Sequence, residues 1–361
     1  MNIDIAALGV AGLRRFQDLR PEAINAVTER FYTTHGTVYA EYGQAGRDAC
    51  REDLAFHLEF LRPVLEFGLI QPMVDYLRWL ASVLATRDIP AEHLSLSLDW
   101  LAEFFAANME EPDAQIVVTA LHHTRARFLE ADQSVPAIYG MMPASWPECE
   151  AFESALLAGD RHGAETLFDR FLELGHSLVD AELHMIQPAL YGIGRKWQNN
   201  QVTVAQEHLA TAISQSMMTR GRVKSMVPAS NGKLVLLACV EGNRHSVGLQ
   251  MVADSFQLAG WDVHYLGENV PTDTVIRHFS ESKPDLLGLS VSFPQQLRVV
   301  KEIMSRLTQA HGSARAPVIV GGLAINQFNR LAGELGADAW GADARSAVAA
   351  ASTLAMRPGP G

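Results

Sequence analysis

Five short apolar runs alternate with longer amphipathic segments in the C-terminal part of the chain, and this alternation constrains the fold more than any other feature. Continuous apolar runs are typical of strands buried on both faces of a parallel sheet, and the segments between them have the length of crossover helices. The runs cover residues 234–240, 263–266, 286–292, 318–320 and 337–340. The sequence therefore predicts a doubly wound, five-stranded α/β domain of the Rossmann-like or flavodoxin-like kind over residues 229–356.

The rest of the chain predicts helices. Residues 1–135 and 148–228 place apolar side chains at helical spacing and lack the alternation expected of strands. We expect an all-helical first domain, with Pro63, Pro72 and Pro90 at helix boundaries, and a small helical bundle in the second segment. The proline- and glycine-rich stretch 136–147 predicts a linker, and residues 357–361 predict a disordered tail.

Charge and cysteine usage exclude several classes of protein. The 361 residues include 29 basic and 41 acidic side chains, a net charge of −12, and show no helix-turn-helix or basic-helix pattern, so direct nucleic-acid binding is not expected. Only Cys50, Cys149 and Cys239 are present, which argues against a disulfide framework and fits a reducing cytoplasm. No apolar stretch reaches the roughly 18 residues of a membrane span, so no membrane partner is predicted.

Polar and glycine residues follow three of the predicted strands. Ligands of such sheets bind beyond the carboxyl ends of the strands, where His245 lies after the first strand. A histidine there can bind a soft metal while Asn243 orients its other nitrogen, and Gly248 lets the next helix approach a bulky group. The later strands end in two further pairs, Ser290 with Ser292 and Gly321 with Gly322. Each residue alone is more often an ordinary loop residue, but the combination predicts one binding site.

This combination resembles the cobalamin-binding fold, whose pattern is Asp-x-His-x-x-Gly, then Ser-x-Leu or a variant, then Gly-Gly. The resemblance covers about residues 148–355 and implies that His245 is the lower axial ligand of cobalt. It also implies that Arg244 and Gly248 contact the cofactor and that the serine and glycine pairs line the groove for its nucleotide tail. Asn243 stands where the family usually has Asp, and a neutral amide raises the basicity of imidazole less than a carboxylate does.

A second pattern lies in the helical segment before the sheet. Thr203 begins a capping box and Glu207 suits the first turn of a helix, features that any helix starting there would show. They do not explain why nine residues separate Trp197 from Glu207-His208. That spacing matches the Trp-x9-Glu-His signature of CarH-type adenosylcobalamin photoreceptors. The resemblance implies a four-helix cap above the cofactor, in which Trp197 and Val204 shape the adenosyl pocket, Glu207 binds the ribose and His208 supports it.

The signature is broken at Gln198, where the CarH type has a histidine that can bind cobalt after light has expelled the adenosyl group. His208 or His184 could take that role. The resemblance implies a homo-oligomer whose assembly changes with light and an unidentified downstream partner, rather than an enzyme. The alternative is a corrinoid carrier protein of a methyltransferase or mutase system, and the pairing of Trp197 with Glu207-His208 favours the sensor.

The first domain carries a weaker signal on one predicted helix. Cys50 and Asp53 lie three residues apart on one face, and spacing alone favours a buried thiol beside a solvated carboxylate. The run Ala-Cys-x-x-Asp resembles the bilin-holding helix of phycobilisome globin-like subunits. A helical domain before a CarH-type module resembles the photocobilins, which pair cobalamin with biliverdin. The resemblance implies a globin-like bilin domain with contacts from Arg47, Cys50, Asp53 and His57.

A haem globin is the competing use of such a domain. It would need an axial histidine, for which His93 and His122 are candidates, although no pattern marks either of them.

Overall fold

The computed structural model describes residues 6–39, 42–85, 88–131, 144–199 and 201–355. The chain divides into two compact units, Met1–Pro136 and Ala137–Gly361. Most of the predicted linker and all of the predicted tail lie outside the described residues, so both stay predictions. None of the described helices is long and apolar enough to cross a membrane.

The first unit is helical throughout its described part, as the periodicity predicts. Its helices are α1 (Val10–Tyr39), α2 (Gly43–Phe67), α3 (Ile70–Ala85), α4 (Glu92–Asn108) and α5 (Asp113–Glu130). They enclose a core of large side chains that includes Phe16, Leu58, Phe105 and Phe128. Burial of these apolar faces, rather than helix propensity, is the main source of stability for helices of this length.

Pro63 lies inside α2, so its prediction as a helix boundary is wrong. The helix continues to Gly68, whose positive φ of 66° lets its N–H reach the carbonyls of Pro63 and Val64. Proline removes one backbone donor, but Pro63 is close to the helix end and packs in the core, which offsets that loss. Pro72 lies in the first turn of α3 and Pro90 just before α4, where the sequence predicts boundaries.

The second unit begins with a helical bundle, here called the cap. It comprises α6 (Cys149–Ala158), α7 (Arg161–Glu173), α8 (Leu178–Ala181), a π-helical turn (Glu182–Ile186), α9 (Gln187–Gln198) and α10 (Val204–Lys224). Thr203 forms the predicted capping box, since its hydroxyl accepts the N–H of Gln206 while the Gln206 side chain accepts the N–H of Thr203. That box fixes the first residue of α10 as Val204.

A five-stranded parallel sheet follows the cap and confirms the predicted α/β fold. Its strands are β1 (Leu234–Cys239), β2 (Asp262–Tyr265), β3 (Leu286–Ser290), β4 (Val318–Gly321) and β5 (Ala339–Gly341), in the order β2-β1-β3-β4-β5. Helices α11 (Val247–Leu258), α12 (Thr272–Ser282), α13 (Leu297–His311), α14 (Leu323–Gln327), α15 (Leu331–Glu334) and α16 (Ala344–Ala355) connect or follow them. In register, Cys239 pairs with Ser290 and Ser290 with Gly321, so these strands end at one rim.

Burial on both faces holds for the inner strands but is wrong for β2. Residues of β1 and β3 are buried almost throughout, whereas Asp262, His264 and Tyr265 of β2 are exposed. β2 is an edge strand with a neighbour on one side only, so its apolar sequence run overstated its burial. Short apolar runs alone do not distinguish edge strands from central ones.

We expect Gly322→Ala to lower the free energy of unfolding by about 2 kcal/mol or more. Gly322 has a φ of 95°, and an added Cβ would lie 2.4 Å from the carbonyl oxygen of Val291. Urea unfolding followed by circular dichroism measures the effect. The matched control is Gly333→Ala in α15, where an added Cβ would meet none of the described atoms within 4 Å. Equal stability of the two variants would contradict the assignment.

Candidate functional site

The loop after β1 is held by Asn243, which is completely buried. Its side-chain nitrogen donates to the carbonyl oxygen of Ser290 at 2.9 Å, and its Oδ1 accepts the backbone N–H of His245 at 3.1 Å. Asn243 thus ties the loop to the end of β3. The prediction that it orients the His245 ring is wrong for this structure, because its amide is bonded to backbone groups.

The imidazole of His245 is placed at the rim and remains in contact with solvent. Its ring lies edge-on to Phe293, with the ring centroids 5.1 Å apart. Partial desolvation lowers the pKa of His245, while the negative charges of Glu207 and Glu268 act in the opposite direction. A lowered pKa keeps the ring neutral at neutral pH, so a nitrogen lone pair is available to a metal.

A cavity of about 170 Å³ extends from this rim, lined by the sheet and by residues of α11 and α16. It brings together six of the predicted site residues: His245, Gly248, Ser290, Ser292, Gly321 and Gly322. The cap contributes Leu183, Gln187 and Tyr191 to the same wall, which the sequence reasoning missed. Their spacing on α9 and the π-helical turn is that of any buried helix face, so no sequence signal marked them.

Gly248 tests whether this rim suits a bulky group. An added Cβ at Gly248 would meet none of the described atoms within 4 Å, although the residue lines the cavity. The protein's own packing therefore does not require a glycine there. Its lack of a side chain leaves open space in front of the first turn of α11, which is the space a large cofactor would need.

The predicted cap residues lie around the α9–α10 connection. Trp197 and Val204 are 39% and 53% exposed, so both offer apolar surface that a ligand could cover. Glu207 accepts a hydrogen bond from the Thr211 hydroxyl at 2.9 Å and lies 3.6 Å from the Nε2 of the exposed His208. Because the charge of Glu207 also acts on His245, the start of α10 and the β1 loop share one region.

Neither of two other cap positions presents an obvious cobalt ligand. Gln198, which replaces the expected histidine, is buried in the cap. The Nδ1 of His184 lies 3.1 Å from the carbonyl oxygen of Ala144, and its ring contacts Trp146 with the centroids 5.2 Å apart. Of the three positions considered, His208 is the exposed one beside Glu207.

Gln296 and Phe293 complete the rim but were not predicted. The Oε1 of Gln296 accepts the backbone N–H groups of Ser292 and Phe293 at 3.0 and 3.1 Å, and its Nε2 donates to the carbonyl of Gly242 at 2.9 Å. One buried side chain thus joins the β1 and β3 loops. An aromatic residue directly after Ser-x-Ser could have suggested Phe293, whereas nothing in the sequence marks Gln296.

Comparison with known proteins identifies the kind of domain that the second unit contains. Two family models, both described as B12 binding domain, match residues 148–220 and 233–349. The HTH-type transcriptional repressor CarH of Myxococcus xanthus is 26% identical over 219 residues, covering 59% of this chain and 71% of the relative. The dimethylamine corrinoid protein of Methanosarcina barkeri is 32% identical over 143 residues, covering 38% and 66%.

The chain is a cobalamin-binding protein whose B12-binding domains are similar to those of CarH. The B12-binding module, residues 148–349, contains the cap and the sheet, and neither family model extends to residues 1–147. Within the described part of the chain, no three His, Cys, Asp or Glu side chains gather to hold a bare metal ion. A single histidine at an open rim instead suits a metal that arrives inside an organic cofactor.

A second cavity, of about 430 Å³, lies within the first unit and is lined mainly by aromatic and aliphatic side chains. Cys50, Asp53 and His57 belong to its wall, as does His93. Two other predicted residues are elsewhere, since Arg47 pairs with Glu29 at 2.6 Å and lies over the Tyr32 ring, and His122 is exposed outside the wall. The structure therefore brings together three of the four predicted bilin contacts.

The Cys50 thiol is protonated at neutral pH. Burial raises its pKa to about 11, with Asp53 adding to the shift and a hydrogen bond with Thr28 opposing it. The thiolate is the nucleophilic form of cysteine, so this environment suppresses addition of Cys50 to a ligand double bond.

Two carboxyl groups meet where the cap packs on the α/β domain. Glu182, in the π-helical turn, is completely buried, and neither of its oxygens finds a donor among the residues that the structure describes. Burial and the neighbouring Asp254 hold the pKa of Glu182 well above its ordinary value. Burial also raises the pKa of Asp254, whose Oδ1 lies 3.7 Å from the Nε of Arg222. Because Arg222 lies beside Asp254 and the pKa of Glu182 is the one held well above its ordinary value, we place a proton on Glu182.

This proton makes stability depend on pH. Because the pKa of Glu182 is higher in the folded than in the unfolded state, its contribution to the free energy of unfolding is complete at pH values below the ordinary pKa of glutamate. That contribution is lost as the pH rises towards the folded-state pKa. Over this window we expect the wild type to lose up to about 1.4 kcal/mol per pH unit relative to Glu182→Gln, whose amide is neutral throughout. Urea unfolding between pH 5 and about pH 8 measures the difference. Glu281→Gln, at an exposed position, is the control, and parallel pH profiles for wild type and Glu182→Gln would refute the proton on Glu182.

Proposed function

We propose that this chain is a light sensor that binds adenosylcobalamin in its B12-binding module and biliverdin in its helical first unit, as the photocobilins do. The observation that carries the proposal is the placement of Trp197, Val204 and Glu207 at the α9–α10 connection, in the same region as His245. Two exposed apolar side chains and a positioned carboxylate there match the needs of an adenosyl group.

Each part of the site has a role in this proposal. His245 offers a neutral nitrogen as the lower ligand of cobalt, and the cavity beyond it receives the nucleotide tail between the serine and glycine pairs. Adenosylcobalamin supplies a cobalt–carbon bond that visible light cleaves. Trp197 and Val204 exclude water from the adenosyl side, while Glu207, held by Thr211, accepts a hydrogen bond from a ribose hydroxyl.

The output is proposed to be a change in assembly. Release of the adenosyl group would leave Trp197 and Val204 uncovered, and exposed apolar surface favours rearrangement or association. The signal would then pass from a homo-oligomer to a separate partner protein in the cytoplasm. With a net charge of −12 the chain is poorly suited to contact nucleic acid directly, and we assign it no enzymatic reaction.

A corrinoid carrier protein is the second candidate function. The 32% identity over 143 residues to the dimethylamine corrinoid protein of Methanosarcina barkeri favours it. A carrier must present cobalt to a partner enzyme, and the exposed rim would allow that. It gives no role to the second cavity in the first unit, which is why we prefer the sensor.

Reconstitution with adenosylcobalamin tests the two functions directly. We expect illumination to change the cobalt absorption spectrum and the elution volume in size-exclusion chromatography, because the cap loses the group that covers Trp197. His245→Ala should shift the dark spectrum by removing the lower ligand, whereas His264→Ala, an exposed histidine of β2, should not. If illumination changes neither the absorption spectrum nor the elution volume, the sensor is ruled out and the carrier function is left.

Biliverdin binding is expected to be non-covalent. Because the Cys50 thiol is protonated, acid denaturation of the loaded chain should release all pigment, and Cys50→Ala should retain the bound absorption band. Intact mass spectrometry and zinc-enhanced fluorescence on a denaturing gel measure attachment. If the mass of the wild-type chain is raised by one biliverdin and that of Cys50→Ala is not, the pigment is covalently attached to Cys50.

A further inference from the structure

A buried histidine in the first unit has one nitrogen bonded and the other bare. His57 lies on α2 in the wall of the second cavity and is only 1% exposed. Its Nδ1 lies 2.6 Å from the carbonyl oxygen of Asp53 and 3.0 Å from the hydroxyl of Tyr76. Its Nε2 is buried and has no hydrogen-bond partner among the residues that the structure describes.

These contacts fix the position of the ring proton. A backbone carbonyl can only accept, so the short contact with Asp53 places the proton on Nδ1. The Tyr76 hydroxyl donates to the same carbonyl at 3.3 Å, which leaves its oxygen as a second acceptor for Nδ1. Burial lowers the pKa of His57 to about 4, so the ring takes up no second proton at neutral pH. Nε2 therefore carries a lone pair that can accept a hydrogen bond, and none of the described residues donates one to it.

The surroundings indicate what this acceptor is for. The Asp53 side chain belongs to the same wall one helical turn earlier, so two acceptors share one face of α2. The rest of the wall is largely apolar and aromatic, including Phe31, Tyr39 and Leu84. A buried acceptor without a donor is destabilising, and a ligand that brings a donor removes that cost. A largely apolar ligand that carries N–H groups would therefore suit this cavity.

We propose that Nε2 of His57 accepts a hydrogen bond from a pyrrole N–H of a linear tetrapyrrole, with Asp53 as the second acceptor on the same edge of the ligand. This inference rests on the proposed function and assigns His57 as the residue that orients the pigment. An iron porphyrin could use the same lone pair as an axial ligand. It has no inner N–H for Asp53 to meet, and so the paired acceptors favour the open-chain pigment.

The test is a titration of the full-length chain with biliverdin, followed by absorbance. We expect His57→Leu to raise Kd by about tenfold and to shift the long-wavelength band, since one buried hydrogen bond is lost. His57→Gln should recover part of both, because the glutamine oxygen is again an acceptor. His122→Leu, at an exposed position outside the wall, is the matched control. Thermal melting of each variant confirms that it is folded.

A second measurement does not depend on binding by the variants. In ¹⁵N-labelled wild type, the His57 nitrogens should report a neutral ring protonated on Nδ1, and the Nε2 resonance should move when biliverdin binds. Wild type that binds no biliverdin overturns the second chromophore of the proposed function and this inference with it. If the Kd for biliverdin is unchanged in His57→Leu, the inference is overturned while the proposed function stands. If ferric haem binds through His57 while biliverdin binding is unchanged by His57→Leu, the lone pair is assigned to iron.

Discussion

The parallel pairing of β1 with β3 and of β3 with β4 is the constraint on which the cobalamin site depends. It ends the strands at Cys239, Ser290 and Gly321, so that their loops leave from one rim. Asn243 and Gln296 then tie the first two loops together through backbone groups. Residues that are distant in sequence lie close together because the register of the sheet ends their strands at the same rim. A shift of that register would separate them.

The cap depends on a different feature, the buried Glu182 carboxyl beside Asp254 of α11, whose pKa burial holds well above its ordinary value. Glu182 begins a π-helical turn, a local widening of the helix that often accompanies functional sites. The same turn supplies Leu183 to the cavity wall. Any movement that separates the cap from α11 would expose the Glu182 carboxyl to water. Its pKa would then fall towards the ordinary value, and the proton would be lost at neutral pH. The ionisation of one buried pair and the position of the cap are physically linked.

Sequence patterns predicted the elements better than their contacts. Apolar runs located all five strands, because spacing along the chain carries that information. The runs could not show that β2 is an edge strand, nor that Pro63 is tolerated inside α2, since both follow from neighbours distant in sequence. Asn243 and His57 were chosen as ligand contacts, but which of their atoms are already bonded emerges only from the folded backbone.

His245 and His57 show how one residue type gives two kinds of site. Burial or partial desolvation lowers the pKa of both, so both rings are neutral. Within the described residues, the His245 ring has aromatic and electrostatic neighbours but no hydrogen-bond partner, so it can turn to suit a cofactor that brings its own metal geometry. His57 is pinned by the Asp53 carbonyl, which fixes the direction of its free lone pair. An adaptable ring suits coordination, whereas a pinned one sets the orientation of a ligand.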